Sequence, residues 1–440
     1  MSVLPKEINY GKKNISLPKG TSCINGAVST PASGFSFGPA QQIQFNLPSR
    51  SYLVPESIYL RYRITLTGGD ATTSFGIGAF PAYSPFSQCQ TIIGSNVVEN
   101  IANYGALNNF ILTTKLNYSQ KLGLACAFGL GTQTGASNQI YSSTATFSGT
   151  ETYNSWDVGF ANEFKSMAIP LNCLFSNADS LVPLKFMPAS QITLTTDSIA
   201  NCFIVGSTTP ITNYTITNCE LVYDLVDFND EVDQAVMSMA DDRGKIMIKS
   251  QSYATSGQTT TAVSSGTIEY VYAMRLASIK GLALLMPGLH AGSVNKSFDS
   301  LDITSNNGSY QFNVANVQYP SRPISTVLNK AGCLMELGSF FGPAHDLTSS
   351  NFSINPLEYS YINTSTTTAL QPGKFYIATN CERLSTNDAL LSGISSQLSS
   401  LSVRIELGTA TTNSQNLILV ALYDAILEID VANRQANLLT

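Results

Sequence analysis

Apolar and polar residues alternate with a period of two along much of the chain, the mark of strands that bury one face. Between 58 and 66, Ile58, Leu60, Tyr62, Ile64 and Leu66 fall on one face, and Tyr59, Arg61, Arg63 and Thr65 fall on the other. Upstream, Ile43, Phe45 and Leu47 alternate with Gln42, Gln44 and Asn46. Pro48 then has no amide hydrogen to give a ladder, so the strand is expected to stop there. Near the far end, Leu401, Val403, Ile405 and Leu407 alternate with Ser402, Arg404 and Glu406. The chain therefore reads as all-β from one end to the other. Stretches rich in Gly, Ser, Thr and Asn at 68–80, 129–150, 206–213, 255–266 and 361–371 are expected to be loops. Those at 129–150 and 255–266, long and without apolar periodicity, are expected to be exposed or to lie between assembled units.

A helical period stands out at FNDEVDQAVMSMADDRG, residues 228–244. Val232, Ala235, Val236 and Met239 share one helical face, Asn229 or Asp230 can cap the start, acids fill the first turn, and Gly244 can end it. The helix sits at mid-chain and reads as a connector. On either side lies an internal repeat: CELVYDLVDF at 219–228 aligns without a gap on LVALYDAILE at 419–428, each an apolar strand with a Tyr-Asp pair. Before each comes a turn-like or short helical piece and another strand, at 169–196 and at 387–409. Two similar domains of roughly 200 residues follow, a normal size for one β-sandwich. The expected division is an N-terminal arm at 1–40, a first sandwich at 41–228, a connecting helix at 229–244 and a second sandwich at 245–440.

Composition sharpens this reading. Of 440 residues, 43% are hydrophobic and only 12% are charged, with a mean hydropathy of +0.07, where a soluble domain carries roughly 25% charged residues. No apolar run reaches the roughly 18 residues that a membrane helix needs, so the low charge points to surface hidden against other protein. The opening MSVLPKEINYGKKN lacks the apolar core of a signal peptide, so the chain is expected to be made in the cytosol and not secreted. Cys23, Cys89, Cys126, Cys173, Cys202, Cys219, Cys333 and Cys381 are scattered, without a CxxC pair or a nearby histidine, and read as buried thiols behaving as small hydrophobes. Seven Asn-x-Ser/Thr sequons, at Asn14, Asn117, Asn213, Asn295, Asn307, Asn351 and Asn363, read as chance in a chain this rich in those residues. A net charge of −6 argues against strong or sequence-specific nucleic-acid binding. The one basic stretch is the arm, with Lys6, Lys12, Lys13 and Lys19, a solvated tail or an arm that reaches a neighbour, an inner membrane or a genome.

Chemistry is scarce, and no catalytic, cofactor or metal site is predicted. The two histidines, His290 and His345, lack partners at zinc-ligand spacing, and the adjacency of His345 and Asp346 does not make a catalytic pair. GFSFG at 34–38 places Ser36 in a GxSxG pattern, but that pattern works only on a strained turn from strand to helix, and here it lies in a Ser/Gly/Pro-rich arm. GLGTQTG at 129–135 lacks the spacing of a phosphate loop. Asp227, Asp230, Glu231 and Asp233 lack EF-hand spacing and read as helix N-terminal charge. A sugar-binding sandwich would concentrate exposed aromatic platforms, but the single tryptophan is Trp156 and the tyrosines are spread along strands.

Several stretches together resemble one family, the double jelly-roll major capsid proteins of tailless icosahedral DNA viruses. They are FNLPSRSYLVPESIYLRYRITLTG at 45–68, MAIPLNCLFSNADSLVPLKFMPASQITLTT at 167–196, YQFNVANVQYPSRPIS at 310–325, FYIATNCERLSTNDALLSGISSQLSSLSVRIEL at 375–407 and LVALYDAILEI at 419–429. The aromatic and Arg-rich N-terminal pattern of the giant algal and amoebal viruses is missing, which points to the smaller phage, virophage-like or polinton-like relatives. The resemblance implies two tandem eight-stranded antiparallel jelly-roll sandwiches with a short connecting helix, and a structural, non-enzymatic role. It further implies homotrimeric, pseudo-hexagonal capsomers in a virion shell, with neighbouring capsomers and minor capsid or penton proteins as partners. The alternative is a β-sandwich adhesin, fibre or minor virion surface protein that binds a glycan or receptor.

Overall fold

The computed structural model describes residues 20–68, 80–117, 164–204, 211–238, 244–260, 266–289, 308–326, 328–342, 375–382, 391–407, 415–431 and 433–439, with a few shorter pieces in between, apart from residues 118–119 and the other gaps so defined. In the first half the principal strands, among shorter ones, are β1 (Ser22–Ser29), β2 (Gln42–Asn46), β3 (Tyr59–Gly68), β4 (Phe86–Ile93), β5 (Asn96–Ala102), β6 (Phe164–Pro170), β7 (Ser190–Thr196) and β8 (Ile211–Asp227). They form two antiparallel sheets, β1-β8-β3-β6 and β2-β7-β4-β5. Successive strands mostly cross from one sheet to the other, so each hydrophobic face meets the other sheet's. That is the jelly-roll arrangement.

The second half repeats it. Its strands are β9 (Lys245–Thr260), β10 (Gly266–Tyr272), β11 (Ile279–Leu285), β12 (Ser309–Val314), β13 (Val317–Ser325), β14 (Ile377–Asn380), β15 (Leu401–Leu407) and β16 (Gln415–Asp430). The sheets are β9-β16-β11-β14 and β10-β15-β12-β13, the same order strand for strand. A further strand, β17 (Gln435–Leu439), returns along β16. The aligned Tyr-Asp segments occupy the last jelly-roll strands, β8 and β16, and the pieces before them lead into β7 and β15.

The period-two reading holds where it was made. Ile58, Leu60, Tyr62, Ile64 and Leu66 are buried, as are Ile43, Phe45, Leu47, Leu401, Val403, Ile405 and Leu407. Three local expectations differ. Ser22–Ser29, assigned to an arm, is strand β1, because its backbone completes the outer edge of β8 while its side chains stay exposed. Residues 255–260, assigned to a loop, continue β9, whose ladder with β16 runs unbroken from Lys245↔Asp430 to Thr260↔Gln415. Backbone pairing with a long apolar partner outweighs the weak strand signal of Thr, Ser and Gly there. Ile211 likewise already belongs to β8.

Two helices have no counterpart in the sequence reading: α1 (Tyr104–Lys115) between β5 and β6, and, after α2 (Asp230–Ser238), α3 (Lys330–Phe341) between β13 and β14. They occupy equivalent places in the two jelly rolls. Helix α1 buries residues on nearly every side, including Asn108, Asn109, Thr113 and Thr114, so it shows no amphipathic stripe. Asn108 and Thr114 satisfy their side chains on carbonyls one turn back, at Tyr104 and Phe110, both 2.9 Å away. In α3 the Asn329 side chain caps the start by accepting from the Gly332 amide at 3.0 Å.

The connecting helix α2 is the one the sequence predicts, as far as it is described, and residues 239–243 lie outside the described ones. Asn229 caps it, accepting from the Val232 amide at 3.1 Å. Of its expected apolar face, Val236 packs against the core while Ala235 is exposed. Asp233 is ion-paired with Lys185 and accepts from the Tyr52 hydroxyl at 2.9 Å, which ties the connector to the first half.

Candidate functional site

Strand β9 of the second half lies across the first half, and this seam carries a buried polar network. Ser250 Oγ donates to the Leu174 carbonyl at 2.8 Å, the Asp179 amide donates to the Lys249 carbonyl at 3.0 Å, and Thr255 Oγ1 donates to the Ala102 carbonyl. At its centre sits Glu99 of β5, only 2% exposed. Its carboxyl accepts from Thr91 Oγ1 at 2.7 Å, from the Leu174 amide at 2.8 Å and from Ser252 Oγ of β9. Burial pushes the Glu99 carboxyl up from its ordinary value, and the three donors pull the other way without cancelling that shift. Tyr423, of the repeated Tyr-Asp pair, stands opposite Ser252 in the ladder of β9 and β16, beside the same network.

Helices α1 and α3 meet at the seam's apolar part. The Phe110 ring lies 5.8 Å from Phe340, 5.4 Å from Phe341 and 4.8 Å from Tyr376, centroid to centroid. Lys115 Nζ lies 5.3 Å from the Phe341 ring centre. Each such aromatic pair contributes about 0.5–1.5 kcal/mol beyond its buried area. The two halves are thus joined by an aromatic cluster, a hydrogen-bonded carboxyl and the further hydrogen bonds that β9 makes to the first half.

A second buried polar cluster lies within the second half. Asp424 of β16 is wholly buried. Its Oδ2 accepts from Ser278 Oγ at 2.8 Å, the Ser392 amide at 2.9 Å and Ser392 Oγ at 3.2 Å. Lys280 Nζ stands 3.8 Å from Asp424 Oδ1 and 3.2 Å from Glu382 Oε1. Ser392 is placed by a close approach of backbones: a Cβ on Gly393 would collide with Ile279, and the Ile279 amide donates to the Ile394 carbonyl at 2.8 Å.

The residues singled out for chemistry are not drawn together. Ser36 lies in the short strand Ser36–Phe37, paired with Ile216 and Thr217 of β8, a ladder position and not a strand-to-helix turn. His290, His345, Asp346, Trp156, Lys6, Lys12, Lys13 and Lys19 lie outside the described residues, as do Gly129–Gly131 and most of 129–150. Among the cysteines whose side chains are described, Cys23 is exposed on β1 and the other six are buried. Burial holds the Cys173 and Cys381 thiols up at about 12, which keeps them protonated and unreactive. No group of His, Cys, Asp and Glu suited to a metal ion occurs among the described residues, and no described helix is long and apolar enough to cross a membrane.

Two jelly rolls in tandem, with the same strand order and a helix at the same place in each, define a double jelly-roll protein. The Faustovirus major capsid protein has a similar fold, with a TM-score of 0.62 at 10% identity over 93% of this chain and 90% of that one. The PBCV-1 virus capsid is similar too, with a TM-score of 0.57 at 9% identity over 95% of this chain and 96% of that one. So is the Sputnik virophage structure, with a TM-score of 0.55 at 13% identity over 100% of this chain and 92% of that one. The likeness embraces two viruses and a virophage alike and does not separate the subgroups. No protein-family model and no curated protein matches the chain by sequence.

Proposed function

We propose that the chain is a major capsid protein, a structural and non-enzymatic component of a virion shell. The observation that supports this best is the extent of the fold likeness, two jelly rolls and their connection over nearly the whole chain. The composition agrees, since a chain with 12% charged residues suits broad contacts between copies, whose cores are depleted of charge. Val97, Val271, Val317 and Leu398 stand exposed on or beside the strands, where such contacts would cover them.

In this reading the working unit is a homotrimer of six jelly rolls, pseudo-hexagonal in outline, packed against neighbouring capsomers and against minor capsid or penton proteins. The division into two sandwiches about α2 makes one chain supply two unequal edges. The basic segment before β1 reaches a neighbour, an inner membrane or the genome, and synthesis takes place in the host cytoplasm. Light scattering on the purified chain, with negative-stain imaging of the same sample, tests the reading. A particle of three times 47.1 kDa with a hexagonal outline is expected. A stable monomer at tens of micromolar would overturn the trimer and turn attention to an adhesin.

A further inference from the structure

The geometry points to a covalent cross-link in the second jelly roll: an amide between Lys280 Nζ and Asp424 Cγ, formed by the chain on itself with Glu382 as the proton carrier. The three residues sit on or just beyond adjacent strands, since β11 lies between β16 and β14. Lys280 is the unpaired residue of a β-bulge, where the β11 register to β16 jumps from Ile279↔Tyr423 to Gly281↔Leu422. A bulge re-aims a side chain, and this one brings the amine to both carboxylates, at 3.8 Å from Asp424 Oδ1 and 3.2 Å from Glu382 Oε1.

The two oxygens of Asp424 have unequal surroundings. Oδ2 is held by the Ser278 hydroxyl and by the Ser392 amide, donors placed as an oxyanion hole is, to stabilise the negative oxygen of a tetrahedral intermediate. Oδ1 is buried without a hydrogen-bond partner and lies on the amine's side, free to leave. Glu382 is itself fixed by Ser392 Oγ at 2.7 Å. Held in place, amine and carboxyl react as if at very high concentration.

The step balances without an outside reagent. Glu382 takes one proton from the Lys280 ammonium, and the freed nitrogen pair attacks Cγ, with charge developing on Oδ2. The Cγ–Oδ1 bond then breaks, and Oδ1 leaves as water with two protons that began on Nζ, one returned through Glu382. An ammonium and a carboxylate become one amide and one water, the wholly buried charge of Asp424 is removed, and Glu382 ends as the carboxylate it began as. The first half cannot do this, because Tyr59 pairs directly with Val222 there and no bulged lysine faces Asp224.

Intact mass of the purified full-length chain, unfolded in denaturant, tests the inference. The expected mass is lower than that of the sequence by one water, and proteolysis is expected to yield a branched peptide joining Lys280 to Asp424. Glu382→Gln and Lys280→Arg are each expected to restore the full mass. A wild-type chain that melts cooperatively yet keeps its full mass after days of incubation overturns the proposal. So does a lost water that maps to a single unbranched peptide, which is a succinimide and not a cross-link.

Discussion

Asp224 and Asp424 occupy the same place in two copies of one fold, and they live under opposite conditions. Each meets the serine that precedes the third strand: the Asp224 amide donates to Ser57 Oγ at 2.8 Å, and Ser278 Oγ donates to Asp424 at the same distance. Beyond that they part. Asp224 is half-buried and spends its carboxylate on the amide of Gly26, at 2.7 Å, where β1 bulges between Ile24 and Ala27. Asp424 is sealed from water by an uninterrupted β9 and by the segment around Ser392, and it faces Lys280. A repeated segment marks a position in a fold, and neighbours that differ between the two copies decide its chemistry.

The sharpest way to break the comparison is to remove each carboxylate in turn. Asp424→Ala leaves the Ser278 hydroxyl and the Ser392 amide without their buried acceptor and takes one of two carboxylates from Lys280, and it is expected to cost about 3–5 kcal/mol. Asp224→Ala loses one partly solvated hydrogen bond, worth about 1 kcal/mol. Denaturant melts of the two variants side by side measure the difference, and equal losses would mean that burial does not set the roles. Next in size, Phe110→Ala at the seam is expected to cost about 3 kcal/mol and to split one unfolding transition into two, since it uncouples the halves.

A smaller effect concerns pH. Because burial raises the folded-state pKa of Glu99 above its unfolded value, the unfolded chain releases this proton first. Stability is therefore full below the ordinary glutamate range and falls as pH rises through the folded pKa. Glu99→Gln is expected to flatten that fall in melts taken across the acidic to neutral range, and an unchanged pH profile would remove Glu99 from the account. The smallest expected change is at Gly26, whose φ of +68° favours glycine and where a Cβ would meet nothing. Gly26→Ala is expected to cost about 1 kcal/mol through backbone strain alone, and a neutral result would show that the β1 bulge relaxes freely.

How much of this was legible beforehand follows from what each element buries. Strands β2, β3 and β15 bury one face and expose most of the other, so their residues alternate visibly between apolar and polar. Helices α1 and α3 are buried too fully or carry too little pattern to show a face, and α3 contains Gly332 and Gly338 besides. Strand β1 and the end of β9 are held by backbone pairing to β8 and β16, which leaves almost no mark in side-chain type. The Tyr-Asp repeat led to Asp424, but Glu99, Lys280 and Glu382 are single letters without spacing to flag them. They become a site only when sheet order makes β14, β11 and β16 neighbours and lays β9 on β5.

The nearness of β8 and β9 in sequence, Asp227 to Lys245, bears on the order in which surfaces meet. That short link tethers the faces that carry Phe110 and Phe340, and such a tether holds them at an effective concentration of about millimolar or above. Free copies of one chain rarely approach that level, so each half closes on its own sibling before it can meet a stranger's. The pairing inside each chain is then settled by connectivity, and only the outward surfaces are left for other molecules.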